Sequence, residues 1–157
     1  MNAARRQIRL TIVESGESVV ADVLDDEAPR TAEHVWSMLP IESQLIHGQF
    51  CGAEVFVLVE PAAQLAPENL VQLPLPGELL YFYEGIESAT SGPDAVPVSE
   101  IAFIYNRGVT LKQAEGVPTH LSLFARVPGD WKSDWPDFRA ACRTARSNRA
   151  TMRIERA

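Results

Sequence analysis

Apolar and polar residues alternate from the start of the chain. Ile8, Leu10 and Ile12 face one way and Arg9, Thr11 and Val13 the other, the two-residue period of a strand with one buried face. Glu14-Ser15-Gly16-Glu17 supplies turn residues, and Ser18–Leu24 reads as a second, valine-rich strand, so the two form a hairpin. The period then changes. Ala32, Val35, Trp36 and Leu39 fall at i, i+3, i+4 and i+7, one apolar stripe of an amphipathic helix. Asp25, Asp26 and Glu27 precede it, where carboxylates favour the positive end of the helix dipole. Pro29 suits a first turn, with Thr31 as an alternative N-cap. Pro40 ends the helix by pushing its predecessor out of helical geometry.

Beyond Pro40 the pattern is mixed from Ile41 to Phe50, and Gly52 marks a turn or bulge. Ala53–Val59 is a strong strand. Pro61–Pro76 holds four prolines and reads as a long connection without a ladder of its own, the kind of loop that often borders a binding site. Gly77 leads into an aromatic strand ending at Tyr83. Glu84–Val98 is loop-like, Glu100–Tyr105 is a compact buried strand, and Arg107–Pro118 is a surface excursion with two glycines. His120–Val127 alternates as a strand. Asp134–Asn148 follows as a second helix, capped by Ser133 or Asp134 with Pro136 in its first turn, and Thr151–Glu155 closes the chain as a short strand.

This tally of seven or eight strands and two helices predicts a mainly β fold. The expected architecture is a closed or nearly closed antiparallel barrel of about eight strands, with the two helices over its open ends. At 157 residues the chain fits one domain, 1–157, with a substantial core.

Composition narrows the partners. The net charge of −7 works against binding nucleic acid through a broad basic face. The arginines gather near the two ends, at Arg5, Arg6 and Arg9 and again from Arg139 to Arg156, and read as solvated faces. No window approaches a membrane span, and the N-terminus lacks the apolar run of a signal peptide, so neither a membrane nor export is expected. Cys51 and Cys142 lie far apart in sequence and read as reduced thiols in a cytoplasmic protein, with no disulfide.

Three stretches carry a resemblance. LDDEAPRTAEHVWSML is similar to the cyclophilin segment in which a proline, a basic residue and a threonine open the first helix. VPTHLSLFARVPG resembles the cyclophilin strand entered through a histidine, and PGELLYFY the family's central strand. More closely, APRT…WSMLPIESQLIHGQFCGAEVF resembles a bacterial family of cyclophilin-like proteins of unknown function. The resemblance covers most of the chain in order and implies the cyclophilin-like barrel; a shared fold does not carry activity. It also locates a departure. Prolyl isomerases keep a Phe-His-Arg run whose arginine holds the substrate carbonyl. Here Ile46-His47-Gly48 stands in its place, so the histidine has a counterpart and the arginine does not. Ser99-Glu100-Ile101-Ala102 replaces the isomerase Ser-Gln-Phe-Phe stretch, while His120 matches the histidine bordering the proline pocket. Arg30, Arg107 and Arg126 are the arginines that would have to substitute.

The ligand-contact candidates are His47, Gln49, Glu54, Tyr81, Tyr83 and His120. A cleft histidine exchanges hydrogen bonds with a ligand near neutral pH, and tyrosines edge an apolar pocket with hydroxyls. His34 falls on the polar side of the first helix and reads as solvated. Cys51 lies four residues beyond His47, which in an extended strand leaves about 13 Å between them, so a Cys–His pair requires a bend. The three histidines have no metal spacing, no HExxH or paired CxxC occurs, and no cofactor loop is present, so no metal, cofactor or catalytic residue is assigned. Three functions remain: a small-molecule or short-peptide binder with a cleft on the barrel, a diverged prolyl isomerase, and a homo-oligomeric interaction module.

Overall fold

A computed structural model describes residues 5–86, 93–113 and 116–157. Parts of the loops expected over Glu84–Val98 and Arg107–Pro118 therefore lie outside the described residues, as does the start of the basic N-terminus. The elements run β1 (Gln7–Ile12), β2 (Ser18–Val23), α1 (Pro29–Met38), β3 (Ile41–His47), β4 (Glu54–Val59), β5 (Leu70–Val71), β6 (Glu78–Glu84), β7 (Val98–Ile104), β8 (Leu121–Arg126), α2 (Pro136–Thr144) and β9 (Ala150–Arg156).

Eight of the strands close an antiparallel barrel in the order β2-β1-β9-β3-β4-β7-β6-β8, sealed where Asp22 and Val23 of β2 pair with Arg126 and Ala125 of β8. Closure removes the exposed edges that an open sheet would present. The same edge of β8 is taken at its other end by β5, through Leu70↔Ser122 and Val71↔Leu121, so β5 lies outside the barrel. That short ladder corrects the expectation of a proline-rich connection with no pairing. The mixed stretch after Pro40 is also a strand, β3. Its pattern is blurred because Ser43 takes a position between Ile41 and the buried Leu45 while Ile46 faces outward.

The barrel interior is filled. Ile8, Leu10, Val55, Leu79, Phe103, Phe124, Met152 and Ile154 are all at most 2% exposed, and the interior void among them measures about 10 Å3, far below the size of an organic ligand. Both helices pack onto the barrel core, α1 through Ala32 and Val35 and α2 through Phe138 and Cys142. His34 of α1 meets Tyr81 edge-on at 5.7 Å, and Phe138 of α2 meets Phe103 edge-on at 5.4 Å. A second apolar cluster lies on the outer face, where Val109 and Leu111 of the 105–120 excursion cover Leu80, Ala102, Ile104 and Leu123. This outer layer builds the walls of the cleft described below.

The helix starts differ from expectation. The N-cap of α1 is Ala28, with no side-chain cap, and Thr31 is buried inside the first turn. Its backbone N–H instead donates to Glu68 from the proline-rich connection, at 2.6 Å. Helix α2 is capped by Trp135 and is shorter than expected, because Asp134 turns back to accept the Asp130 N–H and the chain after Thr144 folds into turns. The two basic termini do meet, since β1 pairs with β9, and Trp36 lies between the guanidiniums of Arg6 and Arg156 at 4.9 Å each. Arg6 also pairs with Asp25 and Glu33, so acidic neighbours offset the local positive charge.

Candidate functional site

With the interior packed, the space for a ligand is outside. A cleft of about 400 Å3 lies on the outer face of β4, β6 and β7, between the turn after β3 and the excursion carrying Leu111 and Lys112. Strand alternation decides what faces it. Val55 and Val57 of β4 point into the barrel, which turns Glu54 and Phe56 outward. On β6 the same period sends Leu79, Tyr81 and Tyr83 inward and Phe82 and Glu84 outward. Glu100 of β7 stands directly across the ladders from Leu58 on one side and Phe82 on the other. Phe56 and Phe82 form an apolar floor, and Glu54, Glu84 and Glu100 ring it.

His47 closes one end of the cleft. Its Nδ1 lies 2.7 Å from the Gly48 carbonyl and its Nε2 2.8 Å from the Tyr105 hydroxyl. A carbonyl only accepts, so in the neutral ring Nδ1 carries the proton and Nε2 accepts from Tyr105. With both nitrogens engaged, His47 is a fixed wall and has no free nitrogen to activate Cys51. The Cys51 thiol donates to the Lys112 carbonyl at 3.2 Å, and burial pushes its pKa up to about 11. The Cys–His nucleophile pair therefore does not form.

Glu54 is the most enclosed acid of the cleft, 7% exposed. Among the described residues neither Glu54 nor Glu100 has an ion-pair partner; of the candidate arginines, Arg30 is committed to Glu68 and Arg126 to Glu78. Burial raises the Glu54 pKa, and its hydrogen bond to the Cys51 thiol lowers it. That thiol has one proton and shares it with the Lys112 carbonyl, so it neutralises little of the charge. Glu100 is pushed up to about 7, first by burial and then by the negative charges of Glu54 and Glu84.

Of the residues singled out in sequence, the structure brings His47, Gln49 and Glu54 to this cleft. It does not bring Tyr81, Tyr83 or His120. The hydroxyl of Tyr81 is spent on the Ala63 carbonyl at 2.7 Å and Ser99 at 2.9 Å, inside the barrel. Tyr83 packs against the same core. His120 is exposed, while its neighbours Thr119 and Leu121 face the cleft. Nor is His34 solvated as expected: it is half-buried on Tyr81, and its Nε2 has no hydrogen-bond partner. Phe56, Glu84, Glu100 and Lys112 are among the lining residues that sequence reasoning missed. Glu100 left a readable trace, the lone charged residue in the strand VSEIAFI.

Among the described residues no group of His, Cys, Asp and Glu has the geometry to hold a metal ion. No helix among them is long and apolar enough to cross a membrane.

The fold and cleft define a closed eight-stranded antiparallel barrel with an external, acid-lined groove. The chain belongs to the DUF3830 family, a protein family of unknown function whose model matches residues 10–151. No curated protein matches the sequence. Among solved structures, McbB in complex with tryptophan is similar at a TM-score of 0.67 and 16% identity, over 95% of this chain and 44% of that one. This chain thus spans less than half of McbB. The hypothetical protein AF2241 from Archaeoglobus fulgidus is similar at a TM-score of 0.59 and 17% identity, over the full length of both chains. At these identities the likeness is one of fold.

Proposed function

We propose that this protein binds a small molecule or a short peptide in the cleft bounded by His47, Gln49 and Glu54, without prolyl-isomerase activity. One observation carries the reading: a buried carboxylate, Glu54, faces an open cleft of about 400 Å3 with an aromatic floor. Most ligand sites have this composition, an apolar surface with a few convergent polar groups. A fixed histidine supplies a rigid boundary at modest cost in ordering.

The cyclophilin-like resemblance supports a distant relation in fold, while the lining argues against isomerase chemistry. The cleft contains no arginine among the described residues; its cation is Lys112. Two free thiols, one of them fully buried, suit the reducing cytoplasm. The tryptophan bound by McbB belongs to McbB and assigns no site to this chain.

Backbone amide NMR with a fragment library tests the reading. Binding should move amides of residues 46–56, 98–101 and 110–113 together. Fragments that perturb only other surfaces, or none that perturb these, would remove the cleft as a site. A protease-coupled prolyl-isomerase assay should read the uncatalysed rate.

A further inference from the structure

Beyond its location, the cleft has a chemical preference written in its charges. Three carboxylates, Glu54, Glu84 and Glu100, line it against a single ammonium, that of Lys112, whose residue is exposed. An ionised carboxylate held away from water without a cation is costly, and two of these acids have no ion-pair partner among the described residues. The arrangement is built into the backbone. Glu54 sits on β4 with its carboxylate packed against Gly48, and Glu100 is held in register between β4 and β6. Phe56 and Phe82 line the same cleft, and aromatic rings attract cations and bury apolar groups alike.

We infer that the cleft recognises a protonated amine carrying a compact apolar or aromatic body, its ammonium between Glu54 and Glu100 and its body on Phe56 and Phe82. This rests on the cleft reading above. The ammonium would supply the counter-charge that the two acids lack and donate hydrogen bonds to the carboxylate it sits against. An anionic ligand would meet three like charges and one lysine. A bare metal ion would find no suitable ligand geometry among the described residues.

The groups facing Glu100 are Glu54 on β4, Glu84 on β6 and, across the cleft, His47, Cys51 and Lys112. Because Glu100 titrates near 7, its charge grows from pH 6 to pH 8 while an alkylammonium stays protonated. Affinity for an amine should therefore rise across that interval.

Tryptamine, indole-3-propionate and indole share one ring system and differ in charge, so they separate the two questions. Titration at pH 8, followed by calorimetry and by backbone amide NMR, should show tryptamine binding at residues 46–56 and 98–101. Glu54→Gln and Glu100→Gln should each weaken it about tenfold, the effect of one lost charge pair. The exposed Glu27→Gln should leave binding unchanged, and wild-type affinity should be lower at pH 6. If indole or indole-3-propionate occupies the cleft as tightly as tryptamine, the amine preference is overturned while the site stands. If Glu54→Gln, folded by its melting curve, binds tryptamine normally, the assigned contact is overturned. If none of the three moves a cleft amide, the amine inference and the cleft reading both fall.

Discussion

The carboxylate of Glu54 packs against the bare Cα of Gly48, so closely that a β-carbon there would stand 2.7 Å from Oε2. The same two residues are joined through the backbone, where the Gly48 N–H donates to the Glu54 carbonyl at 2.8 Å. Position 48 is where the resemblance to prolyl isomerases expects an arginine. The missing guanidinium and the buried acid are therefore one feature, because any side chain at 48 would meet this carboxylate.

Gly48→Ala should lower tryptamine affinity about tenfold while the fold survives. The new methyl meets the free end of a flexible side chain, which swings aside, and residue 48 lies outside the left-handed region, so the backbone is not strained. The melting temperature should move by no more than about 2–4 °C, as for a change near 1 kcal/mol in a chain of this size. Unchanged affinity would separate Gly48 from the site.

Glu100→Gln should stabilise the free protein at high pH. The folded state holds the Glu100 proton up to about pH 7, while an unfolded glutamate loses it near 4.5. Stability from this group is complete below about 4.5 and is lost as pH rises toward 7. The variant should melt higher than wild type at pH 8, by on the order of 2–4 °C after allowance for partial solvent screening, and match it at pH 4.5. Equal melting at both pH values would show that Glu100 is not desolvated.

His34 should act in the opposite direction. Burial against Tyr81 lowers its pKa below the ordinary value of 6.5, so the unfolded chain takes up the proton more readily. Its contribution to stability is present above about 6.5 and falls as pH drops from there through the lowered folded value. His34→Gln should flatten the melting-temperature profile between pH 7 and pH 5, and an unaltered acid slope would place the titration elsewhere.

Glu68→Ala should cost about 1 kcal/mol, the usual worth of a helix cap. Glu68 accepts the Thr31 N–H at 2.6 Å and pairs with Arg30 at 3.2 Å, tying the proline-rich connection to the start of α1. Amide exchange should accelerate at Thr31 and Ala32 and stay unchanged in α2. Uniform acceleration across the barrel would show a global effect instead.

The alternation of Ile8, Leu10 and Ile12 and the helical stripe of Ala32 and Val35 could be read directly, because each period reports one buried face. Ile41–His47 was harder, since Ser43 interrupts its inward face and Ile46 lines the cleft outside. The caps were misread for a related reason. Thr31 and Asp134 have capping chemistry, yet a distant glutamate accepts the Thr31 N–H and the preceding turn occupies the Asp134 carboxylate. His47, Gln49 and Glu54 were recognisable as cleft candidates because they cluster within one turn and its flanking strands. Tyr81 and Tyr83 misled because their chemistry suits a pocket edge, and only the inward register of β6 shows that they fill the barrel.

By itself the sequence determined most of the strands, the two helices, the acidic balance and the glycine at position 48, all of which follow from local period and residue chemistry. Only the tertiary structure decided that the barrel interior is full and that the open space lies outside it. It alone brought Glu100 of β7 and Phe82 of β6 into the same cleft as Glu54 of β4. The physical reason is that a cleft depends on which strand faces meet across hydrogen-bonded ladders. Such pairings join residues tens of positions apart, which a local period along the chain does not encode.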